Sequence, residues 1–184
     1  MSEQKSSITV RRARVGDIEE LCDVYLELSP PIRRLFHPFP FERSKLRLIF
    51  LVMILSDKLI RLVKHILPKL GFSLIVAYDE DESRIVGFIY IHIIGKENDK
   101  LIANLGITVR EGVRSKGIGT KMEQAMIDRA RQIGIGIIRF SVIEDNTNVL
   151  GLHKKFGFTI KGYTKDDYWD GKFEKNLLLE LELE

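Results

Sequence analysis

The sequence predicts an α/β chain of the α+β kind: a mixed, mostly antiparallel central sheet of six to seven strands flanked by helices. Three observations carry that reading. Apolar stretches of strand length, parted by short polar turns, fill residues 72–109 and return at 158–181. Two segments of helical period, 117–133 and 147–156, alternate with a further strand signal at 137–143. At 184 residues, with 45% apolar and 30% charged side chains, the chain is long enough for one well-filled core. No repeat, low-complexity run or linker divides it, so it is read as one domain, 1–184, with 29–70 as a variable helical segment.

The elements come in order along the chain. Ile8–Ala13 reads as a first strand. Asp17, after Gly16, is placed to cap a helix whose inner face is Ile18, Leu21, Cys22, Tyr25 and Leu28. Ser29-Pro30-Pro31 is expected to end it. Strands are expected at Phe72–Tyr78, Arg84–Ile94 and Leu101–Val109, with turns at 79–83 and 95–99. A helix over Gly117–Ile133 points Ile118, Met122, Ala125, Met126, Ala130 and Ile133 inward, and Gly134-Ile135-Gly136 breaks it. Strand Ile137–Ile143, helix Thr147–Phe156 and strands Phe158–Thr164 and Lys172–Leu181 complete the chain, the last two joined by a turn at Asp170-Gly171.

The block Ile32–Leu70 stands apart. Phe36–Phe41, FHPFPF, is an irregular loop stiffened by Pro38 and Pro40, expected to cover a cleft. Leu55, Leu59, Leu62, Val63 and Ile66 keep helical spacing until Pro68. Between Pro30 and Leu70 nine Lys/Arg face two acids, a local +7 in a chain of net +3. That charge fits an acidic acceptor, a basic amphipathic helix on a membrane or partner, or a solvated helix face. No nucleic-acid motif accompanies it, so nucleic acid is not the expected partner.

Composition narrows the setting. The overall charge is mild. Cys22, the only cysteine, has no partner for an internal disulfide, which fits a reducing compartment. The first ten residues hold no apolar run of the secretory kind. The longest apolar run, Leu48–Leu55, is eight residues, too short to cross a bilayer. A cytoplasmic protein with no transmembrane segment is expected.

The strongest chemical signal is Arg114-Ser115-Lys116-Gly117-Ile118-Gly119-Thr120. A turn rich in Gly and positive charge at a helix start is built for an anion. Free amides point outward, the helix dipole is positive there, and Gly permits close backbone approach. It is not a Walker A loop, because Lys-Ser/Thr does not come after the second Gly. On these residues alone, a plain glycine-tolerant helix start fits as well.

The succession Arg114-x-x-Gly117-x-Gly119, helix, strand, then Asn146 and His153-Lys154-Lys155-Phe156-Gly157-Phe158 resembles the GNAT superfamily of acyl-CoA-dependent N-acyltransferases. The resemblance is best from Phe72 to Leu181. It implies acetyl-CoA as co-substrate, no metal, and transfer of an acetyl group to a primary amine, on a small molecule or a protein N-terminus or lysine, directly in a ternary complex. Arg114 to Thr120, including Ser115, Lys116 and Ile118, would bind the coenzyme pyrophosphate. Ile107, Thr108 and Val109 would pair with the pantetheine arm, a local bulge presenting an N–H to the thioester carbonyl. Asn146 would bond the arm from its other side. His153 stands where the family usually has Tyr near the sulfur.

That departure makes His153 the candidate proton donor to the leaving thiolate, two helical turns after Asn146. Val149, His153 and Phe156 also form an apolar-faced stripe, so a packed core histidine is the other reading. The base is less legible. The strand stretches Ile102–Leu105 and Phe140–Val142 hold no acid. Asn104 and Ser141 are candidates to position a water, and His92 is a candidate base. Glu111, Glu144 and Asp145 are expected in solvated loops, and Tyr168 and Trp169 are candidates for the acceptor mouth. The missing acid and the Tyr-to-His change keep a non-catalytic acyl-CoA sensor as the alternative function. Exposed strand edges make a homodimer a further candidate.

Overall fold

Alternation along 72–109 folds as three consecutive antiparallel strands, around which the rest of the chain is laid. The structure, a computed structural model, describes residues 7–114, 117–167 and 173–184. It begins with β1 (Ile8–Arg12), α1 (Ile18–Leu26), α2 (Pro30–Leu35), α3 (Arg43–Lys58) and α4 (Ile60–Ile66). The three strands are β2 (Phe72–Asp79), β3 (Arg84–Glu97) and β4 (Lys100–Val109). Then come α5 (Ile118–Ile133), β5 (Ile135–Ile143), α6 (Thr147–Lys155), β6 (Thr159–Asp167) and β7 (Phe173–Glu182). The strands form one seven-stranded sheet in the order β1-β2-β3-β4-β5-β7-β6, antiparallel except between β4 and β5.

Period-2 burial divides the sheet into two faces. Leu74, Val76 and Phe88 meet α1 and α3 through Leu21, Tyr25, Phe50 and Met53. Ile75, Ala77, Ile89 and Ile91 meet α5 through Met122, Met126, Ala130 and Ile133. Asp57 of α3 is buried at the sheet edge. Its carboxylate accepts from Arg12 Nε at 2.7 Å and from Arg129 of α5 at 2.9 Å, so it ties both layers to β1. At the first corner, burial pushes the Asp17 carboxyl up, but the Arg11 fork and the Arg14 N–H hold it below the usual range.

Several boundaries differ from expectation, each for a local reason. The Ser29-Pro30-Pro31 stop ends α1, but the prolines then open α2, because ring-fixed φ and a missing N–H suit the first helical turn. The apolar run Leu48–Leu55 lies inside α3, and the helical pattern continuing to Ile66 is two helices, interrupted at Leu59. The 95–99 turn tightens to Asn98-Asp99, both left-handed, so β3 extends to Glu97. Gly134 ends α5 at φ 79°, but Ile135 and Gly136 already belong to β5. A Cβ at Gly136 would lie 2.7 Å from Lys100 Cβ, so the close approach of β4 and β5 there requires glycine. The Asp170-Gly171 turn lies outside the described residues.

Candidate active site

β4 and β5 run together only briefly. Leu101, Ile102 and Ala103 pair with Ile135, Ile137 and Ile138, and there the ladder stops. Beyond it β4 stays with β3 to Val109, while β5 stays with β7 to Ile143. Two strands held by different neighbours splay. The gap is a cleft of about 930 Å³, with Asn104–Val109 on one wall and Phe140–Val142 on the other. The β4 backbone facing it has no β5 partner over that length, so its polar groups are available to an extended guest.

One end of the cleft is the start of α5. Gly117 caps the helix at φ 75°, a left-handed conformation that only glycine adopts cheaply. The first intrahelical bond runs from Lys121 N–H to the Gly117 carbonyl, leaving the amides of Ile118, Gly119 and Thr120 without helical partners. Those residues and Arg114 line the cleft. A Cβ at Gly119 would meet Leu152 of α6 at 3.2 Å, so the second glycine lets the two helices close together. Ser115 and Lys116 lie outside the described residues.

The inner end holds the histidine. His153 is 1% exposed and lines the cleft. Phe140 stands edge-on to its ring at 4.6 Å, and Phe158 lies at 5.2 Å. Its Nδ1 is 2.5 Å from Oε1 of Glu123, a fully buried carboxylate on α5. Its Nε2 is buried with no hydrogen-bond partner among the described residues. His153 thus packs in an aromatic pocket at the cleft wall, with one ring nitrogen left without a partner among the described residues. Glu123 was not legible, because a glutamate within a helix reads as solvated. The available signal was its place between Met122 and Met126, on the buried face.

Asn146 is the N-cap residue of α6, yet its side chain makes no capping bond and lines the cleft instead. Asn104, Ile107, Thr108 and Val109 line it too. The expected bulge at Ile107–Val109 is absent: these residues pair regularly with Ile89, Phe88 and Gly87. The register shifts fall instead between Ile93 and Gly95 and between Leu101 and Ile102, and it is the splay that frees the backbone. Ser141 lines the cleft opposite and contacts the Thr164 hydroxyl at 3.3 Å. His92 does not reach the cleft. Its Nε2 lies 2.6 Å from the Lys69 carbonyl and its ring stacks on Phe72. Glu111 accepts from the Ser29 N–H, Glu144 pairs with Lys175, and Asp145 pairs with Arg34. Among the described residues lining the cleft there is no Asp or Glu. Tyr168 and Trp169 lie outside the described residues.

The remaining wall is Ile32, Leu35, Phe36, His37 and Pro38 from α2 and the loop after it, with Tyr90 of β3 behind them. The loop is pinned from below. The Tyr25 hydroxyl donates to the Phe39 carbonyl at 2.6 Å and accepts from the Phe39 N–H at 3.1 Å, and its ring stacks on Phe41. Tyr90 lies so close over Gly106 that a Cβ there would meet its ring at 2.4 Å. Burial pushes the Tyr90 phenol well up, so it stays protonated.

The model of the acetyltransferase (GNAT) family matches residues 32–158. The chain belongs to this family. Solved structures agree on the GNAT fold. A phosphinothricin acetyltransferase from Sinorhizobium meliloti, in complex with AcCoA, superposes with TM-score 0.76 at 18% identity, over 96% of this chain and 89% of that one. A ribosomal-protein-alanine N-acetyltransferase from Brucella melitensis gives 0.74 at 19%, over 95% and 99%. In sequence, the L-methionine sulfoximine/L-methionine sulfone acetyltransferase of Pseudomonas aeruginosa is 38% identical over 56 residues, 30% of this chain. That match spans only 33% of the relative's own length, as it does for the protein of the same name from Pseudomonas paraeruginosa.

Proposed function

We propose that this GNAT protein is a cytoplasmic N-acetyltransferase that moves an acetyl group from acetyl-CoA to a primary amine within a ternary complex. The observation that carries the reading is the cleft itself, with a helix N-terminus at one end and an imidazole nitrogen at the other, neither partnered among the described residues. Acetyl-CoA supplies the thioester. The amides of Ile118, Gly119 and Thr120, with Arg114, suit its pyrophosphate. The open edge of β4 and the side chain of Asn146 suit the two sides of its pantetheine arm. The single buried Cys22 fits a reducing compartment.

The amine nitrogen attacks the thioester carbonyl, the carbon–sulfur bond breaks, and one proton must pass from nitrogen to sulfur. No carboxylate among the described residues of the cleft takes that proton. The wall of Ile32, Leu35, Phe36 and Pro38 desolvates an entering ammonium and favours its neutral, attacking form. His153 Nε2, buried and without a partner among the described residues, then receives a proton from the amine and returns it to the thiolate. Glu123 acts through it. By engaging Nδ1, it fixes the ring orientation and leaves Nε2 for the reaction, the role of the orienting carboxylate in other relays. A buried carboxylate–imidazole hydrogen bond is costly to desolvate compared with an apolar contact, so its presence beside the cleft favours this use.

The same apolar wall favours an amine carried on a compact, largely uncharged body. The relatives named for L-methionine sulfoximine and L-methionine sulfone, for phosphinothricin and for ribosomal-protein-alanine support acetyl transfer to an amine. The acid-free cleft favours one other reading, an acyl-CoA sensor without turnover. Free-thiol release from acetyl-CoA with a panel of amino acids, aliphatic amines and N-terminal peptides separates the two. Turnover is expected with at least one compact amine. Tight coenzyme binding with no thiol release from any member would establish the sensor instead.

A further inference from the structure

α3 and α4 carry a second feature that the cleft does not use. Leu48, Val52, Leu55, Leu59, Leu62 and Ile66 recur at intervals of four and three residues, the spacing that lines one side of a helix. All six are solvent-exposed, from 40% at Val52 to 64% at Ile66. Leu67 and Leu70 are exposed as well and continue the patch past the end of α4. The opposite side is the real core side: Leu46, Phe50, Met53, Ile54 and Ile60 are all buried. These helices therefore have two apolar sides, and only one is covered. Eight exposed aliphatic side chains within residues 48–70 are more than scattered surface apolar residues and mark a binding surface.

Charge identifies the occupant. Residues 58–70 hold Lys58, Arg61, Lys64 and Lys69 and no acid. The nearest acid in sequence, Asp57, is buried on the far side between Arg12 and Arg129, and the exposed acid beside the seam, Glu19 next to Leu48, is paired with Arg47. Lys64 reaches back to the Ile133 carbonyl, while Lys58 and Lys69 are exposed beside the seam. A second copy of the chain would set these like charges against each other. The helical path is also interrupted at Leu59, where the backbone leaves the α region, and the patch continues past α4 into a single 3₁₀ turn, Pro68–Leu70. A straight partner helix cannot track that line, whereas a deformable lipid surface covers all of it. No helix among the described residues is long and apolar enough to cross a membrane, so this one would lie in the interface plane.

We propose that α3, α4 and the turn after them dock on an anionic phospholipid surface, with the aliphatic seam among the acyl chains and Lys58 and Lys69 at the headgroups. The docking is independent of acetyl transfer. The test is co-sedimentation of the full chain with vesicles of phosphatidylcholine containing about 30% phosphatidylglycerol, compared with pure phosphatidylcholine. Binding to the anionic vesicles is expected, weakened about tenfold or more on pure phosphatidylcholine and reduced by added salt. The Leu55→Glu/Leu62→Glu double variant is expected to lose about tenfold or more in vesicle binding while keeping helical circular dichroism and acetyl-CoA affinity. Absence of binding to the anionic vesicles overturns the proposal, as does equal binding by the variant. A wild-type dimer that the variant dissociates, with no vesicle affinity in either, overturns it in favour of self-association.

Discussion

His153 and Glu123 present a problem of replacement. Exchanging the histidine for an apolar residue removes Nε2, but it also strands a fully buried carboxylate, which costs about 3–5 kcal/mol and confuses stability with catalysis. His153→Asn is the cleaner variant, because the amide nitrogen can stand in for Nδ1 as donor to Glu123 while nothing replaces Nε2. It is expected to lower kcat by about 10²-fold, within the range for general acid–base groups, and to leave acetyl-CoA affinity within a few-fold. Steady-state kinetics beside calorimetric coenzyme binding check this. An unchanged kcat would make His153 a packing residue only. The histidine was visible from its spacing to Asn146. The glutamate was not, because burial is decided by the α6 residue facing it.

The start of α5 and the splay of β4 from β5 act at the scale of elements. A helix N-terminus favours anions, but here it counts because the strands leave room for a long guest ending on it. Gly117→Glu places a side chain in left-handed backbone and a negative charge beside the free amides. Acetyl-CoA binding is expected to fall by about 10²-fold or more, a loss of about 2.7 kcal/mol. Isothermal titration checks it, and binding near the wild-type level would remove the anion-site assignment. The motif Arg114-x-x-Gly117-x-Gly119 was legible because glycine at a helix start has few purposes. The absence of a bulge at Ile107–Val109 was not, since pairing register is set by the opposite strand.

For the molecule as a whole, Asp57 is the joint between layers. It receives Arg12 from β1 and Arg129 from α5, while its own helix packs on the other face of the sheet. Asp57→Ala leaves Arg129, which is largely buried, without its partner. The variant is expected to lose about 3 kcal/mol of stability in urea unfolding. A loss below about 0.5 kcal/mol would mean that the joint is no stronger than a surface pair. Asp57 also accounts for the one-signed charge of the exposed side of α3 and α4, since the one acid of that stretch is turned inward. In the sequence it counted only as one of two acids against nine cations.

The order of strands and helices from Phe72 onward, the glycine-started loop and the spacing of Asn146 and His153 were determined by the sequence alone. Each depends on local rules: two-residue alternation, helical period, and the few residues that turns and helix starts accept. Tertiary structure decided the rest. Whether Pro30-Pro31 stops a helix or starts one depends on where the next segment packs. Whether Glu123 is solvated or buried depends on α6, and whether the apolar side of α3 faces the sheet or the solvent depends on which of its two apolar sides the sheet takes. Those outcomes are set by contacts between residues far apart in the chain, and single-segment patterns carry no information about the partner.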